Sequence, residues 1–241
     1  MTRRRAVLLV AVLLLAGAAP RSGHDDASPA VQTMQDDDAE NPGMLWVEQG
    51  AALWKEGCAS CHGASESMRG VSAHYPQYDP ALGRPVTLGA QVNQCRARTG
   101  QAAWGPDSEE MLSVTALVGR QSRSLPVAID GSGPARAWLD QGRALFAERQ
   151  GQLNLSCAQC HDGLAGQRLG GARIPQGQVN GYPLYRLEWQ GVGSLDRRLR
   201  NCLTGVRAEP LPPGSPEMAA LQFYLGWRSN GLPVETPAVR P

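Results

Sequence analysis

Lysine is almost missing from this 241-residue chain: Lys55 is the only one, so every other fixed positive charge is an arginine. With arginine used this freely, only position can give one of them a role. Phenylalanine occurs twice, and aromatic residues make up 5% of the chain. That is thin material for two conventional cores, though enough for small domains built around a large apolar cofactor. Net charge is also small. Arg3, Arg4 and Arg5 sit in a segment that reads as removable, and taking those three from the formal +1 leaves −2. Such a balance excludes nucleic acid or an anionic membrane as a generic partner. Alternating strand patterns are absent, and nothing beyond the first residues is apolar enough to span a membrane.

What is present begins with MTRRRAVLLVAVLLLAGAAP. A basic start, an apolar run and the small-residue site Ala16-Gly17-Ala18 predict a secretory signal over residues 1–18. The chain is therefore expected in an oxidising compartment outside the cytoplasm. Residues 19–43 are polar and end in the acidic run Asp36-Asp37-Asp38-Ala39-Glu40. They read as a flexible acidic linker.

Beyond it, the chain resembles itself. Trp46, Gly50, Leu53 and Trp54 correspond to Trp138, Gly142, Leu145 and Phe146, each 92 positions on. The pairs Cys58/Cys61 and Cys157/Cys160 match at an offset of 99, and Cys95 matches Cys202 at 107. SEEMLSVTALVGRQSRSLPV and SPEMAALQFYLGWRSNGLPV then match at that same 107. An offset that grows only by insertion predicts a duplicated unit. Apolar spacings of three and four, with Ser108 and Ser215 as helix starts, make each unit helical. The expected fold is all-α, two domains related by duplication over residues 44–130 and 131–241. Residues 126–135, with two prolines and two glycines, read as the linker between them.

CASCH at 58–62 and CAQCH at 157–161 are attachment motifs for c-type haem. Both thiols of each motif add to one haem, and the adjoining His62 or His161 becomes an axial iron ligand. Zinc sites and redox CxxC centres do not explain a histidine directly after each pair, twice. Two covalently bound haems are expected. Met68, His74 and the repeat-equivalent pair Met111 and Met218 compete for the remaining axial positions, although the last two could equally pack in the core. Cys95 and Cys202 are the other spare donors. In an oxidising compartment they either bridge to each other or ligate the haem of their own domain.

The stretch GSLDRRLRNCLTGVRAE, residues 193–209, places Cys202 amid Arg197, Arg198, Arg200 and Arg207. On a helix, Arg198 projects from the same face as Cys202, one turn earlier. Guanidinium groups stabilise a thiolate and can also grip an oxyanion. Arg207 and, farther on, Arg228 are the other candidate anion-binding residues.

These motifs, together with NQCR around Cys95, RNC…GVRAEPLPPGSPE and the tail YLGWRSNGLPVETPAVRP, resemble the SoxA family of dihaem cytochromes over essentially the whole mature chain. The resemblance implies His/Cys ligation of both haems, by His62 with Cys95 and by His161 with Cys202. It further implies that Cys202 is the catalytic residue, often a persulfide in that family, and that Arg198 binds substrate. The implied activity is that of an L-cysteine S-thiosulfotransferase: thiosulfate is joined oxidatively to a cysteine of the carrier SoxYZ, and electrons leave through the monohaem partner cytochrome SoxX. A dihaem thiosulfate dehydrogenase and a pure electron-transfer cytochrome are the alternatives.

Overall fold

The computed structural model describes residues 19–241; the segment read as a signal, residues 1–18, lies outside the described residues. Within them, the acidic stretch 19–43 is not a flexible linker. Ser28 caps helix α1 (Pro29–Asp36), its side chain accepting from the Val31 amide, and Pro29 is pre-set for the first helical position. The buried Gln35 of α1 accepts from the Val239 amide at 3.0 Å. Asn41 donates to the Pro237 carbonyl at 2.9 Å. Asp38 pairs with Arg120 at 2.5 Å and Arg123 at 2.6 Å. Composition suggests flexibility here because it counts carboxylates without their partners, which lie more than eighty residues away in sequence.

Partial burial pushes the Asp38 carboxyl up, but Arg120 and Arg123 outweigh it and hold it below its ordinary value of 3.8. The pair therefore stabilises the folded state above pH 3.8, and that stabilisation is lost as pH falls through the lower folded value. Asp38→Asn should cost about 1 kcal/mol near neutral pH, a figure kept small by the carboxylate's 40% exposure. Urea melts at pH 7 and in strong acid check this: the difference between variant and parent should vanish in acid.

Four helices form each half. In the first, α2 (Met44–Gly57) leads into the short α3 (Ala59–His62), followed by α4 (Leu88–Arg98) and α5 (Glu109–Gln121). In the second, α6 (Ala135–Ala147) leads to α7 (Cys157–His161), then α8 (Leu195–Gly205) and α9 (Pro216–Arg228). Thr87, Ser108, Ser194 and Ser215 each cap the helix that follows them, the side-chain oxygen accepting from the amide three residues on. The long pairs α2/α5 and α6/α9 cross at glycine. A Cβ on Gly50 would lie 2.2 Å from the Ser113 carbonyl oxygen, and one on Gly142 would lie 2.1 Å from that of Ala220. Only glycine permits backbones so close.

The expectation of an all-α fold needs correction. Seven short strands occur among the described residues: β1 (Gln77–Asp79), β2 (Arg84–Val86), β3 (Arg168–Leu169), β4 (Ala172–Arg173), β5 (Leu184–Arg186), β6 (Gly191–Gly193) and β7 (Ala238–Arg240). The pairs β1/β2 and β3/β4 are antiparallel hairpins, while β5 lies between antiparallel β6 and parallel β7. Strands of two or three residues are too short to leave an alternating pattern, which is why the sequence reads as helix throughout. The fold is mainly helical, with hairpins that carry the chain from each CxxCH motif to the cap of the next helix.

Equivalent backbone segments of the two halves pair with each other. Val127 N donates to Leu232 O and Val234 N to Leu125 O, at 2.9 and 2.8 Å. Likewise Ser124 N donates to Val234 O and Gly231 N to Val127 O, both at 2.9 Å. Each bond becomes its mate on a shift of 107, so the halves meet about a local two-fold at the Pro126–Pro233 bridge. The stretch read as an interdomain linker is part of this core. Val127 and Ile129 are buried, and the Asn230 side chain satisfies both the amide and the carbonyl of Ile129.

Candidate haem sites and the Cys202 helix

The second motif is held from several sides. The Ser156 side chain accepts from the Gln159 amide, and Gln159 returns a bond to the Ser156 amide at 2.8 Å, a capping box that fixes the single turn α7. The His161 ring bonds through Nδ1 to the Pro175 carbonyl at 2.8 Å. A carbonyl only accepts, so Nδ1 carries the proton and Nε2 keeps its lone pair for a metal. Gly177, at φ +72°, packs so closely that a Cβ there would lie 3.0 Å from the ring. Burial pushes the imidazole below its ordinary value; the Pro175 bond and Asp162 oppose this, while Arg198 and Arg228 add to it.

Pro175 and Gly177 belong to the loop that lengthens the second half. Between the CxxCH motif and the Tyr-Pro step at 182–183 the offset grows from 99 to 107. The first half lacks those residues, and no hydrogen bond reaches the His62 ring among the described residues. Instead, His62 tilts against Trp54, with ring centroids 5.8 Å apart.

All six cysteines are free. A Cys95–Cys202 bridge is not formed, because each of these cysteines faces its own motif. Burial raises the Cys58 thiol and the neighbouring Cys95 adds to it; burial likewise takes Cys157 up to about 11, with Cys202 adding. Among the competing donors, Met68 packs against the same first-half core as Cys58. Met111 and Met218 are core residues at 3% and 1% exposure. His74 bonds to the Ala128 carbonyl at 3.0 Å.

The run Arg197, Arg198, Arg200 separates once α8 is formed. Arg197 stacks over the Trp189 ring at 4.2 Å. Arg200 is bound to Asp107 at 2.7 Å. Arg198 makes no ion pair among the described residues, and its charge acts on both His161 and Tyr182. It stands one turn before the half-buried Cys202 on the same helix. At the matching place in the first half, Gln91 donates to the Cys95 sulfur at 3.7 Å.

The other two arginines do not join this group. Arg207 lies beyond the end of α8, exposed, at φ +58°. Arg228 is tied to Asp162 at 2.8 Å and to the Gln176 carbonyl at 3.1 Å, and covers Phe146 at 4.6 Å. It frames the His161 loop from α9.

Sequence reasoning passed over Tyr182. Its phenol is pushed up to about 12 by burial, against the pull of Arg198 and Arg186, with Cys202 adding to the rise. Its counterpart Tyr75 is raised by burial and then by Cys95. The repeated Y-P-x-Y at 75–78 and 182–185 was the available signal.

The residues fit a covalently held haem at each motif. Two thiols and an imidazole come from one turn, and in the second half the imidazole is pre-aimed and a third sulfur, Cys202, stands beside the motif.

Comparison with known proteins agrees. The SoxA/TsdA cytochrome c domain family matches residues 44–127 and again 141–234. The L-cysteine S-thiosulfotransferase subunit SoxA of Rhodovulum sulfidophilum is 38% identical over 229 residues, 91% of this chain and 80% of that protein. The protein of the same description from Pseudaminobacter salicylatoxidans is 40% identical over 214 residues, 85% and 75% respectively. The crystal structure of SoxXA from P. pantotrophus contains a chain that superposes with a TM-score of 0.89 at 35% identity, covering 92% of this chain and 87% of that one. A matching domain family over both halves, relatives this close and a shared fold place the chain in the SoxA/TsdA cytochrome c family, among its SoxA proteins.

Proposed function

We propose that the chain is the catalytic subunit of an L-cysteine S-thiosulfotransferase, with two covalently attached haems, one on each half of a duplicated unit. The matched caps, the paired glycine crossings and the local two-fold support the duplication. Haem would be held by Cys58, Cys61 and His62 in the first half and by Cys157, Cys160 and His161 in the second, with Cys95 and Cys202 as further sulfur donors to the iron. The leader at 1–18 supports export to the periplasm. No helix among the described residues is long and apolar enough to cross a membrane. A SoxX-type monohaem cytochrome is the partner this reading takes from the similar SoxXA structure, and a SoxYZ-type carrier supplies the thiol.

The observation that carries this reading is Arg198. Of three neighbouring arginines on α8 it alone has no partner among the described residues, and it lies on the Cys202 face towards His161. That is the disposition needed to hold a small sulfur oxyanion against a thiol.

The reaction is R–SH + S₂O₃²⁻ → R–S–SSO₃⁻ + H⁺ + 2e⁻: one sulfur–sulfur bond forms, the S–H bond breaks and two electrons leave. Haem at the second motif would supply a one-electron acceptor, so a second acceptor is required, a role this reading gives to the partner cytochrome. The chain's own residues bind and orient. Arg198 grips the sulfonate end, Cys202 meets the sulfane end, and Pro175 and Gly177 keep His161 from turning.

The test is a thiosulfate oxidation assay of the holoprotein with its partner cytochrome, with and without a carrier ending in cysteine. A thiosulfonate mass gain on the carrier is the expected result. Tetrathionate formed without a carrier would identify a thiosulfate dehydrogenase, and no oxidation at all would leave a pure electron carrier. Titration of the unfolded holoprotein should find two thiols or their persulfide equivalents; a bridge between Cys95 and Cys202 would overturn the ligand assignment.

A further inference from the structure

We propose that Asp107, a residue of the first half, is a positioning residue for the reaction in the second: it clasps α8 and so sets where Cys202 and Arg198 stand relative to His161. Asp107 lies in the loop before α5, yet both its carboxylate oxygens are spent on α8. One accepts from the Ser194 hydroxyl at 2.5 Å, and the other accepts from Arg200 at 2.7 Å. Ser194 is the cap of α8, its oxygen accepting from the Arg197 amide at 3.1 Å. Its single hydrogen is thus used across the domain boundary and its lone pair within the helix.

Ser194 and Arg200 are six residues apart, so the two contacts grip α8 at its start and again in its second turn. Two separated contacts on one rigid helix fix both its rotation and its height. Arg198 and Cys202 flank Arg200 at two residues on either side, so they move with it. A third anchor, Asp196 to Gln222 of α9 at 2.8 Å, lies within the second half itself.

The clasp is one-sided, which gives it meaning. Thr87, the counterpart of Ser194, caps α4 by accepting from the Ala90 amide at 3.1 Å, with no bond to the second half among the described residues. Gly214 stands where symmetry would put a second Asp107. It has no side chain and offers only its carbonyl, to Arg84 at 3.4 Å. Two halves that share so much backbone geometry therefore differ in this: the first holds the Cys202 helix, and the second does not hold the Cys95 helix. The half with an arginine before its cysteine is the half whose helix is fixed from outside.

The inference rests on the reading of Cys202 as the reacting sulfur, and the experiment separates the two. Asp107→Ala and Asp107→Asn are made in the full holoprotein and compared by amide exchange, ferric resonance and turnover. Exchange within α8 should accelerate about tenfold or more in Asp107→Ala, while α9 and α5 keep their protection. The low-spin signal of the second haem should broaden or split as the Cys202 sulfur wanders, with the first haem's signal unchanged. Turnover should fall on the order of tenfold, as small misplacements of reacting groups do. Arg200→Gln added to Asp107→Ala should then cost nothing further, since both break the same clasp.

Asp107→Asn keeps an oxygen for Ser194 but loses the charge pair, and should lie between parent and alanine. It also serves if the alanine variant folds poorly. Unchanged α8 exchange with an unchanged second-haem signal overturns the proposal, as does acceleration spread evenly over all helices. Exchange and resonance read helix placement without turnover. Full activity in Cys202→Ala would therefore refute the reading of the reacting sulfur and leave the placement result to be judged by itself.

Discussion

On the two-haem reading, Cys202→Ala should leave both haems attached and abolish thiosulfate conjugation, a loss of at least about three decades, whereas Cys95→Ala should keep activity within a factor of about five. Haem attachment survives in both because Cys58, Cys61, Cys157 and Cys160 are untouched. The separation in activity follows from what surrounds each sulfur. Beside Cys95 stands Gln91, a neutral amide already donating to that sulfur at 3.7 Å. Arg96, next to Cys95 in sequence, lies 3.6 Å over the Trp104 ring and bonds to the Ala102 carbonyl. Arg98 follows Cys95 and lies exposed at the end of α4, and no guanidinium precedes Cys95 by one turn as Arg198 precedes Cys202. Beside Cys202 stands Arg198 with its charge uncommitted, and the neighbouring His161 is fixed by Pro175. Attached-haem stain, low-spin ferric spectra and carrier mass shift check the pair. Each variant should disturb the spectrum of its own haem alone. Equal activity losses would show that the first haem takes part in turnover.

Much of this site was legible before any coordinates. The two CxxCH motifs, the spare cysteines and the arginine four residues before Cys202 are local patterns, and a helix turns such spacing directly into geometry. The caps Ser108 and Ser215 were legible for the same reason: capping is a contact over three residues. The offset of 107 also implied that whatever Cys95 faces, Cys202 faces as well.

What escaped was long-range. Asp107 looks like one acid in a loop until α8 arrives beside it, and its two partners lie 87 and 93 residues away. Asp38 belongs to an acidic run that composition assigns to solvent, yet two arginines of the α5 end receive it. The short strands were invisible because two or three residues cannot show a period. Even Arg197 and Arg200 could not be told from Arg198 by sequence, since the residues that occupy them, Trp189 and Asp107, come from other segments.

Arg198→Ala should lower kcat/KM for thiosulfate by roughly one and a half to three decades without disturbing haem attachment. Thiosulfate is a small dianion whose sulfane end must meet the Cys202 sulfur while its sulfonate end is held elsewhere. A guanidinium one turn away can place two parallel hydrogen bonds on two sulfonate oxygens and so fix the direction of approach. Losing such a charge-assisted contact at a partly desolvated site costs on the order of 2–4 kcal/mol, as for lost oxyanion donors, and each decade is about 1.4 kcal/mol. Arg198→Lys restores the charge but not the fork, so it should recover only part of the loss. Arg197→Ala should leave turnover within a few-fold, because Arg197 already lies 4.2 Å over Trp189. Arg200→Ala should act through the Asp107 clasp, by about tenfold and with loosened α8 exchange that Arg198→Ala does not share. Of the alternative anion sites, Arg228 is held by Asp162 at 2.8 Å, while Arg207 lies exposed past the end of the helix that carries Cys202. Full turnover in Arg198→Ala would show that the sulfonate is gripped by another group, and the exposed Arg207 would be the residue to replace next.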